Sequence, residues 1–220
     1  MARRATRAWA TRRRIETLST EHDGTVLCVR IGGLLLTGGE SRRLGFAKHE
    51  VRVHGERLAD RSARVLAHAC DPVREVGPGV TDLVAVREDP PGSGPLAALH
   101  AGADALRIDG HDGPVILLAV DLPFVDERLL GWLAAHPASG SVVPRVAGAA
   151  QSVCARFAPS ALMTASELVA AGVRSMHALL DEIEITYVDE ADWGVACDAR
   201  AFTDIDTPQD LAALEQQRRQ

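Results

Sequence analysis

The sequence predicts an α/β fold: a single domain on a Rossmann-like, doubly wound, mainly parallel sheet. Three observations predict it. Apolar runs of strand length, Leu34-Leu35-Leu36 and PVILLAV (114–120), lack polar alternation, so both faces of these strands must be covered. Segments with helical spacing separate such runs along most of the chain, as parallel strands joined by crossover helices require. Three unusual loops, 37–48, 87–95 and 121–125, follow strands, and in such sheets ligands bind beyond the carboxyl ends of the strands.

The chain opens with a basic stretch. Residues 1–30 carry seven arginines and three acids (Glu16, Glu21, Asp23), net +4, which leaves −10 for residues 31–220 out of the total of −6. No apolar segment follows the arginines, so they do not form a secretory signal. Residues 1–30 are expected to be a disordered extension, with an organellar transit peptide or a tail that touches nucleic acid as the alternatives, and 31–220 the domain.

A strand at 31–37 runs into a glycine loop. LADRSARVLAHA (58–69) has helical spacing at Leu58, Ala59, Ala63, Leu66 and Ala69. Strands at 72–77 and 81–86 precede EDPPGSGP (88–95), which its prolines and glycines make a loop. A helix at 95–107 leads into the strand at 114–120. Beyond it the pattern predicts a helix at 126–135, strands at 141–145 and 152–157, and a helix at 159–171. A short helix at 175–181 and a strand at 184–188 come next. The final helix is marked by Thr207 as N-cap, Pro208 at the first helical position and Asp210 in the first turn.

Composition excludes several classes. In 220 residues no apolar stretch approaches the roughly 18 that span a bilayer, so a cytoplasmic protein without a membrane partner is expected. Cys28, Cys70, Cys154 and Cys197 are far apart and form no CxxC pair, which reads as reduced thiols and not zinc ligands. The eight histidines show no HExxH spacing, and His49 and His54 read as surface residues. A domain of net −10 is a poor general binder of nucleic acid.

LLLTGGESRRLGFAKHE (34–50) carries the chemistry. Gly38 and Gly39 let the backbone turn close to a ligand, and exposed amides there make an anion nest. Arg42, Arg43 and Lys48 add charge suited to phosphate, although neither GxxxxGK[ST] nor GxGxxG is present. A plain glycine turn with solvated arginines is the alternative reading. Asp121 ends an uninterrupted apolar strand, where a carboxylate is costly without a partner. Facing a phosphate nest, it calls for a divalent cation between them; a helix-capping aspartate is the alternative. Asp204 and Asp206 alternate in FTDIDTP (202–208), so one of them can complete a metal site; Asp206 serving the start of the following helix is the alternative. Asp89 in the third loop can accept from a base or ribose.

LTGGESRRLGFAK resembles the signature loop LAGGxSxRMGxDK of the MobA-like nucleotidyltransferases. The resemblance continues through Gly55 and Leu58, DPPGSGPLAAL, VDLPF (120–124) and FTDIDTPQDL, and spans about 31–214. It implies the sheet of the nucleotide-diphospho-sugar transferase type. TGG in the loop, GPLAAL, QSVCARF (151–157) and GVRSMHALLDEI (172–183) are similar to the guanylyltransferase branch that makes molybdopterin guanine dinucleotide.

That resemblance implies a Mg²⁺-dependent transfer of GMP from GTP to molybdopterin, with pyrophosphate released. Lys48, Arg43 and Asp121 would be the catalytic residues. Leu36, Thr37, Gly38, Gly39, Ser41, Arg42, Lys48, Asp89, Gly94, Pro95, Leu96 and Asp121 would hold the nucleotide. Asp121, with Asp204 or Asp206, would hold magnesium, and molybdoenzyme-maturation proteins are the implied partners. Ala47 stands where the family has Asp, Thr37 where it has Ala, and Asp204 and Asp206 where Asn is common. Gln151-Ser152 replaces Gln-Pro, and Arg156-Phe157 inverts an aromatic-then-Arg order. The alternatives are cytidylyl or other nucleotidyl transfer to a different phosphorylated acceptor, and a catalytically silent GTP-binding paralogue.

Overall fold

The computed structural model describes residues 17–20, 26–38, 48–53, 55–197, 199–205 and 210. In chain order the strands and helices are β1 (Thr17–Thr20), β2 (Val26–Val29), β3 (Gly32–Leu36), β4 (Arg52–Val53), β5 (Glu56–Arg57) and α1 (Leu58–Ala69). Next come β6 (Val73–Val76), β7 (Ala85–Val86), α2 (Pro95–Ile108), β8 (Val115–Ala119) and α3 (Glu127–Ala135). The chain continues with β9 (Ser141–Val146), β10 (Ala149–Ala150), β11 (Cys154–Phe157), α4 (Pro159–Ala170), α5 (Met176–Glu182), β12 (Ile185–Val188) and α6 (Glu190–Trp193).

The described strands form an eight-stranded sheet ordered β10-β9-β11-β8-β3-β6-β7, with β12 also paired to β9. β8, β3, β6 and β7 run parallel, as the apolar strands predict, and β12 runs parallel to β9. β11 departs from that pattern, lying antiparallel to both β8 and β9. The sheet is therefore mixed but mostly parallel, with helices on both faces. One core gathers α1 and α3 against the sheet around Leu35, Leu66, Ile116 and Leu129. The other gathers α2, α4 and α5 around Leu34, Leu99, Leu117 and Phe157. Both faces of β3 and β8 are thus covered, which is why their sequences are continuously apolar.

Local sequence explains the helices. α1 buries Leu58, Ala59, Ser62, Val65, Leu66 and Ala69, one stripe at helical spacing. Asp126 caps α3 by accepting from the N–H groups of Arg128 and Leu129, each at 3.0 Å. α2 starts with Pro95 after Gly94, whose φ of 93° favours glycine. Gly102 lets α2 lie close on the sheet, since a Cβ there would meet Leu34 Cδ2 at 2.6 Å.

Two expectations need revision, and a third lies mostly outside the described residues. The stretch 1–30, expected to be disordered, contains a two-stranded antiparallel ribbon in which Thr17 pairs with Val29 and Thr20 with Val26; β1 lies against α3. Its signal is local: β-branched residues on both sides of Asp23-Gly24. The strand expected at 81–86 shrinks to Ala85–Val86. The N–H groups of Gly79, Val80 and Thr81 donate to the side chain of Glu75, so they are not available for a ladder. The helix expected after Thr207 lies outside the described residues except for Asp210, which is helical.

Candidate active site

β3 sits between β6 and β8 in register, with Leu36 opposite both Val76 and Ala119, so three strands deliver their carboxyl ends side by side. The ladder runs slightly past the strands: the Thr37 N–H donates to Val76 O at 3.1 Å, and the Val120 N–H donates to Leu36 O at 3.0 Å. β3 continues through α1 to β6 on one side, whereas β8 lies on its other side. This reversal of strand order is where a crevice forms in an open α/β sheet.

A cleft of about 670 Å³ opens there, within the size range of small-molecule sites. Six of the residues singled out in the sequence line it: Leu36, Thr37, Gly38, Gly94, Pro95 and Asp121. The three unusual loops therefore do converge. Leu96 is not at the surface of the cleft; its side chain is fully buried in the α2 core. Asp89 is exposed and is not among the lining residues. Asp204 is exposed, yet close by, because the Ile205 N–H donates to the Asp121 carbonyl at 3.0 Å. Gly39, Ser41, Arg42, Arg43 and Asp206 lie outside the described residues. Lys48 opens a short 3-10 helix over 48–50, immediately before a residue that lines the cleft.

That residue is His49, which the sequence reading put at the surface. Its position beside Lys48 was the available signal. Glu88 also lines the cleft, and nothing in the sequence separates it from the adjacent Asp89. Val153, from the QSVCARF segment, is a further lining residue.

Glu75 was missed altogether. It is fully buried on β6 and accepts from Thr37 Oγ1 at 2.6 Å, Thr81 Oγ1 at 2.7 Å, and the N–H groups of Gly79, Val80 and Thr81 at 2.8–2.9 Å. Burial pushes its carboxyl pKa up, but the hydrogen bonds from Thr37, Thr81 and Val80 outweigh burial and hold it below the usual range. Gly77 completes this contact, because a Cβ there would lie 2.2 Å from Thr37 Oγ1 and 2.7 Å from the Gly38 nitrogen. A lone Glu in VREV gives a single-sequence reader no sign of this; the GPGVT turn beside it was the only hint.

Arg156 turns away from the cleft. Its guanidinium donates to the carbonyls of Leu133, Ala134, His136 and Ala138, so it closes the C-terminal end of α3. Desolvation lowers its pKa, and it has no carboxylate partner among these contacts. The 172–183 segment reaches the site through Arg174, whose carbonyl lies 3.7 Å from the place a Cβ on Gly94 would take.

A magnesium ion suits these residues in kind. Among the described residues no three His, Cys, Asp or Glu side chains gather into a metal-binding group. Magnesium is commonly held by one or two carboxylates together with substrate phosphates, and Asp121 with the adjacent Asp204 offers that donor set.

A cleft at the switch point of a mostly parallel sheet is the ligand-binding position of open α/β proteins. Comparison with known proteins narrows that class. The MobA-like NTP transferase domain matches residues 33–186. A probable molybdenum cofactor guanylyltransferase of Opitutus terrae is 36% identical over 155 residues, 67% of this chain and 76% of that protein. One of Mycolicibacterium paratuberculosis is 29% identical over 204 residues, 86% of this chain and 98% of its own length. Molybdopterin-guanine dinucleotide biosynthesis protein A of Archaeoglobus fulgidus superposes with a TM-score of 0.71 at 23% identity, covering 86% of this chain and 98% of its own. A 2-C-methyl-D-erythritol 4-phosphate cytidylyltransferase of Thermus thermophilus gives 0.60 at 18% identity, covering 87% and 100%. The chain belongs to the MobA-like NTP transferase family, with the nucleotide-sugar transferase type of fold. It is a nucleotidyltransferase.

Proposed function

We propose that the protein transfers GMP from GTP to molybdopterin and releases pyrophosphate. One observation carries the reading: the Thr37–Gly38 turn, the 88–95 loop and Asp121 meet in a single cleft. The curated relatives named as probable molybdenum cofactor guanylyltransferases support the choice of nucleotide and acceptor.

In this reaction a phosphate oxygen of molybdopterin attacks the α-phosphorus of GTP in line, and the bond from that phosphorus to the bridging oxygen of pyrophosphate breaks. The attacking phosphate is already anionic near neutral pH, so the protein needs no general base. Its task is positioning and charge neutralisation. Backbone amides at Gly38 and Gly39, with Arg42, Arg43 and Lys48, take the triphosphate; Ser41, Gly94 and Pro95 help shape its seat, and Asp89 takes ribose hydroxyls at the rim. Leu96 contributes by packing beneath that seat. Asp121, with Asp204 or Asp206, would hold Mg²⁺, which when bound supplies positive charge between these carboxylates and the phosphates. A cytoplasmic location fits this chemistry; among the described residues no helix is long and apolar enough to cross a membrane. Proteins that mature molybdoenzymes are the expected recipients of the product.

A turnover assay with Mg²⁺, molybdopterin and each of GTP, CTP, ATP and UTP tests the proposal. Pyrophosphate should appear with GTP and molybdopterin together, along with a guanine dinucleotide product. Turnover with CTP alone would make the protein a cytidylyltransferase, and GTP binding without turnover would make it a silent binder.

A further inference from the structure

Arg61 reaches from α1 to the loop that follows Asp121. Its Nε donates to the Pro123 carbonyl at 3.0 Å, and its Nη2 donates to the Val125 carbonyl at 3.3 Å. These residues lie two and four places beyond Asp121, and both are buried. Buried carbonyls need donors, and the loop is short of its own. Pro123 has no N–H, and the Val125 N–H meets the Leu122 carbonyl only at 3.4 Å. A side chain from another element therefore gives this loop its shape. Arg64, three residues on, is used differently, pairing with the surface carboxylates Glu56 and Glu127.

Arg57, one helical turn before Arg61, fastens two more parts of the cleft. Asp60 grips its guanidinium at 2.7 and 2.8 Å. It donates to Glu50 at 3.0 Å, in the 3-10 helix that Lys48 opens, and to the Val80 carbonyl at 2.8 Å. The Val80 N–H in turn donates to Glu75, the carboxylate that holds Thr37. A spacing of four puts both arginines on one face of α1, which six buried residues fix against the sheet.

We infer that Arg61 is a positioning residue for nucleotidyl transfer: by holding the Pro123 and Val125 carbonyls to α1 it sets where Asp121 presents its carboxylate. With Arg57 it makes the start of α1 the common anchor of the Lys48 helix, the Thr37–Gly38 turn and the Asp121 loop. The inference rests on the reading of Asp121 as the cation's carboxylate. Groups that orient a metal-binding side chain change metal affinity or activity by about 10- to 100-fold when removed.

The test compares Arg61→Met with Arg64→Met. It measures binding of Mn²⁺ in the presence of GTP, hydrogen exchange of the 121–126 amides in the unliganded protein, and melting temperature. Methionine keeps an unbranched apolar stem and removes every donor. Arg61→Met should weaken Mn²⁺ binding by about tenfold or more and speed exchange in the loop. Arg64→Met should match the wild type in Mn²⁺ affinity and in exchange. Arg61→Lys can serve only one of the two carbonyls, so its Mn²⁺ affinity should fall by a smaller factor; it carries the test if the methionine variant does not fold. A lower melting temperature with wild-type Mn²⁺ affinity would make Arg61 a purely structural clasp and overturn the inference. Asp121→Asn, measured alongside, separates the two levels. If it loses Mn²⁺ affinity while the Arg61 variants do not, the inference alone falls. If it binds Mn²⁺ as the wild type does, the cation reading of Asp121 falls and the inference with it.

Discussion

The hydroxyl of Thr37 donates to the buried carboxylate of Glu75 at 2.6 Å, tying the start of the glycine loop to the neighbouring strand. The same carboxylate gathers the N–H groups of Gly79, Val80 and Thr81, so a single side chain organises two loops beside the cleft. Glu75→Gln should cost about 1–3 kcal/mol, because an amide cannot accept all of these bonds and its NH₂ meets other donors. Thr37→Val should cost less and raise KM for the nucleotide with little change in kcat. Chemical denaturation and nucleotide kinetics on both variants check this.

Acid should expose the same interaction. Glu75 has a folded-state pKa below its ordinary value, so its stabilising effect is complete above about pH 4.3 and is lost as pH falls through the folded-state value. The stability gap between wild type and Glu75→Gln should narrow as the pH is lowered from about 5 to well below the ordinary Glu value of about 4.3. A gap that stays constant across that window would show that the carboxylate's charge is not what the loops depend on.

Gly77→Ala should disturb the glycine loop directly. The added Cβ would fall 2.2 Å from Thr37 Oγ1 and 2.7 Å from the Gly38 nitrogen, and the backbone atom cannot swing aside as a side chain can. A loss of about 1–3 kcal/mol is expected, with a weaker hold on the nucleotide. Unchanged melting temperature and nucleotide affinity would show that this packing is slack.

Arg156→Met should lower stability by about 1–3 kcal/mol and leave kcat/KM within about twofold, since the guanidinium serves carbonyls at the end of α3. Melting curves and turnover on one preparation separate the effects. Lost turnover at an unchanged melting temperature would assign Arg156 to substrate instead.

Most of the sheet was legible from the sequence because covered strands have a plain signature. α1 was placed at 58–69 and found at Leu58–Ala69, and the apolar runs became β3 and β8. Convergence of the strand-end loops followed from topology alone. Other features depend on contacts between distant residues. The truncation of the 81–86 strand follows from Glu75, whose role emerges only once β6 lies beside β3. Glu88 and Asp89 are adjacent acids that a sequence cannot rank, and the fold buries one in the cleft while leaving the other exposed. The β1–β2 ribbon leaves a weak signal, because its two four-residue strands are short and follow an arginine-rich stretch.

Lys48→Ala should remove most of the activity. One charge-assisted phosphate contact in a water-poor site contributes roughly 2–4 kcal/mol, or about 30- to 1000-fold in rate. Wild-type turnover in this variant would return the 37–48 loop to a simple glycine turn.

Asp121→Asn tests the central claim most directly, that the carboxylate at the end of β8 anchors the cation and, through it, the triphosphate. Asparagine preserves the shape of the side chain, and the Asp121 carbonyl that accepts from the Ile205 N–H belongs to the backbone, so the fold should persist. Mg²⁺-dependent pyrophosphate release and melting temperature should be measured on the same preparation. The account predicts that turnover and apparent Mg²⁺ affinity fall together, that excess Mg²⁺ restores part of the rate, and that the melting temperature barely moves. Full turnover with about 1 kcal/mol less stability would contradict it and make Asp121 a capping residue.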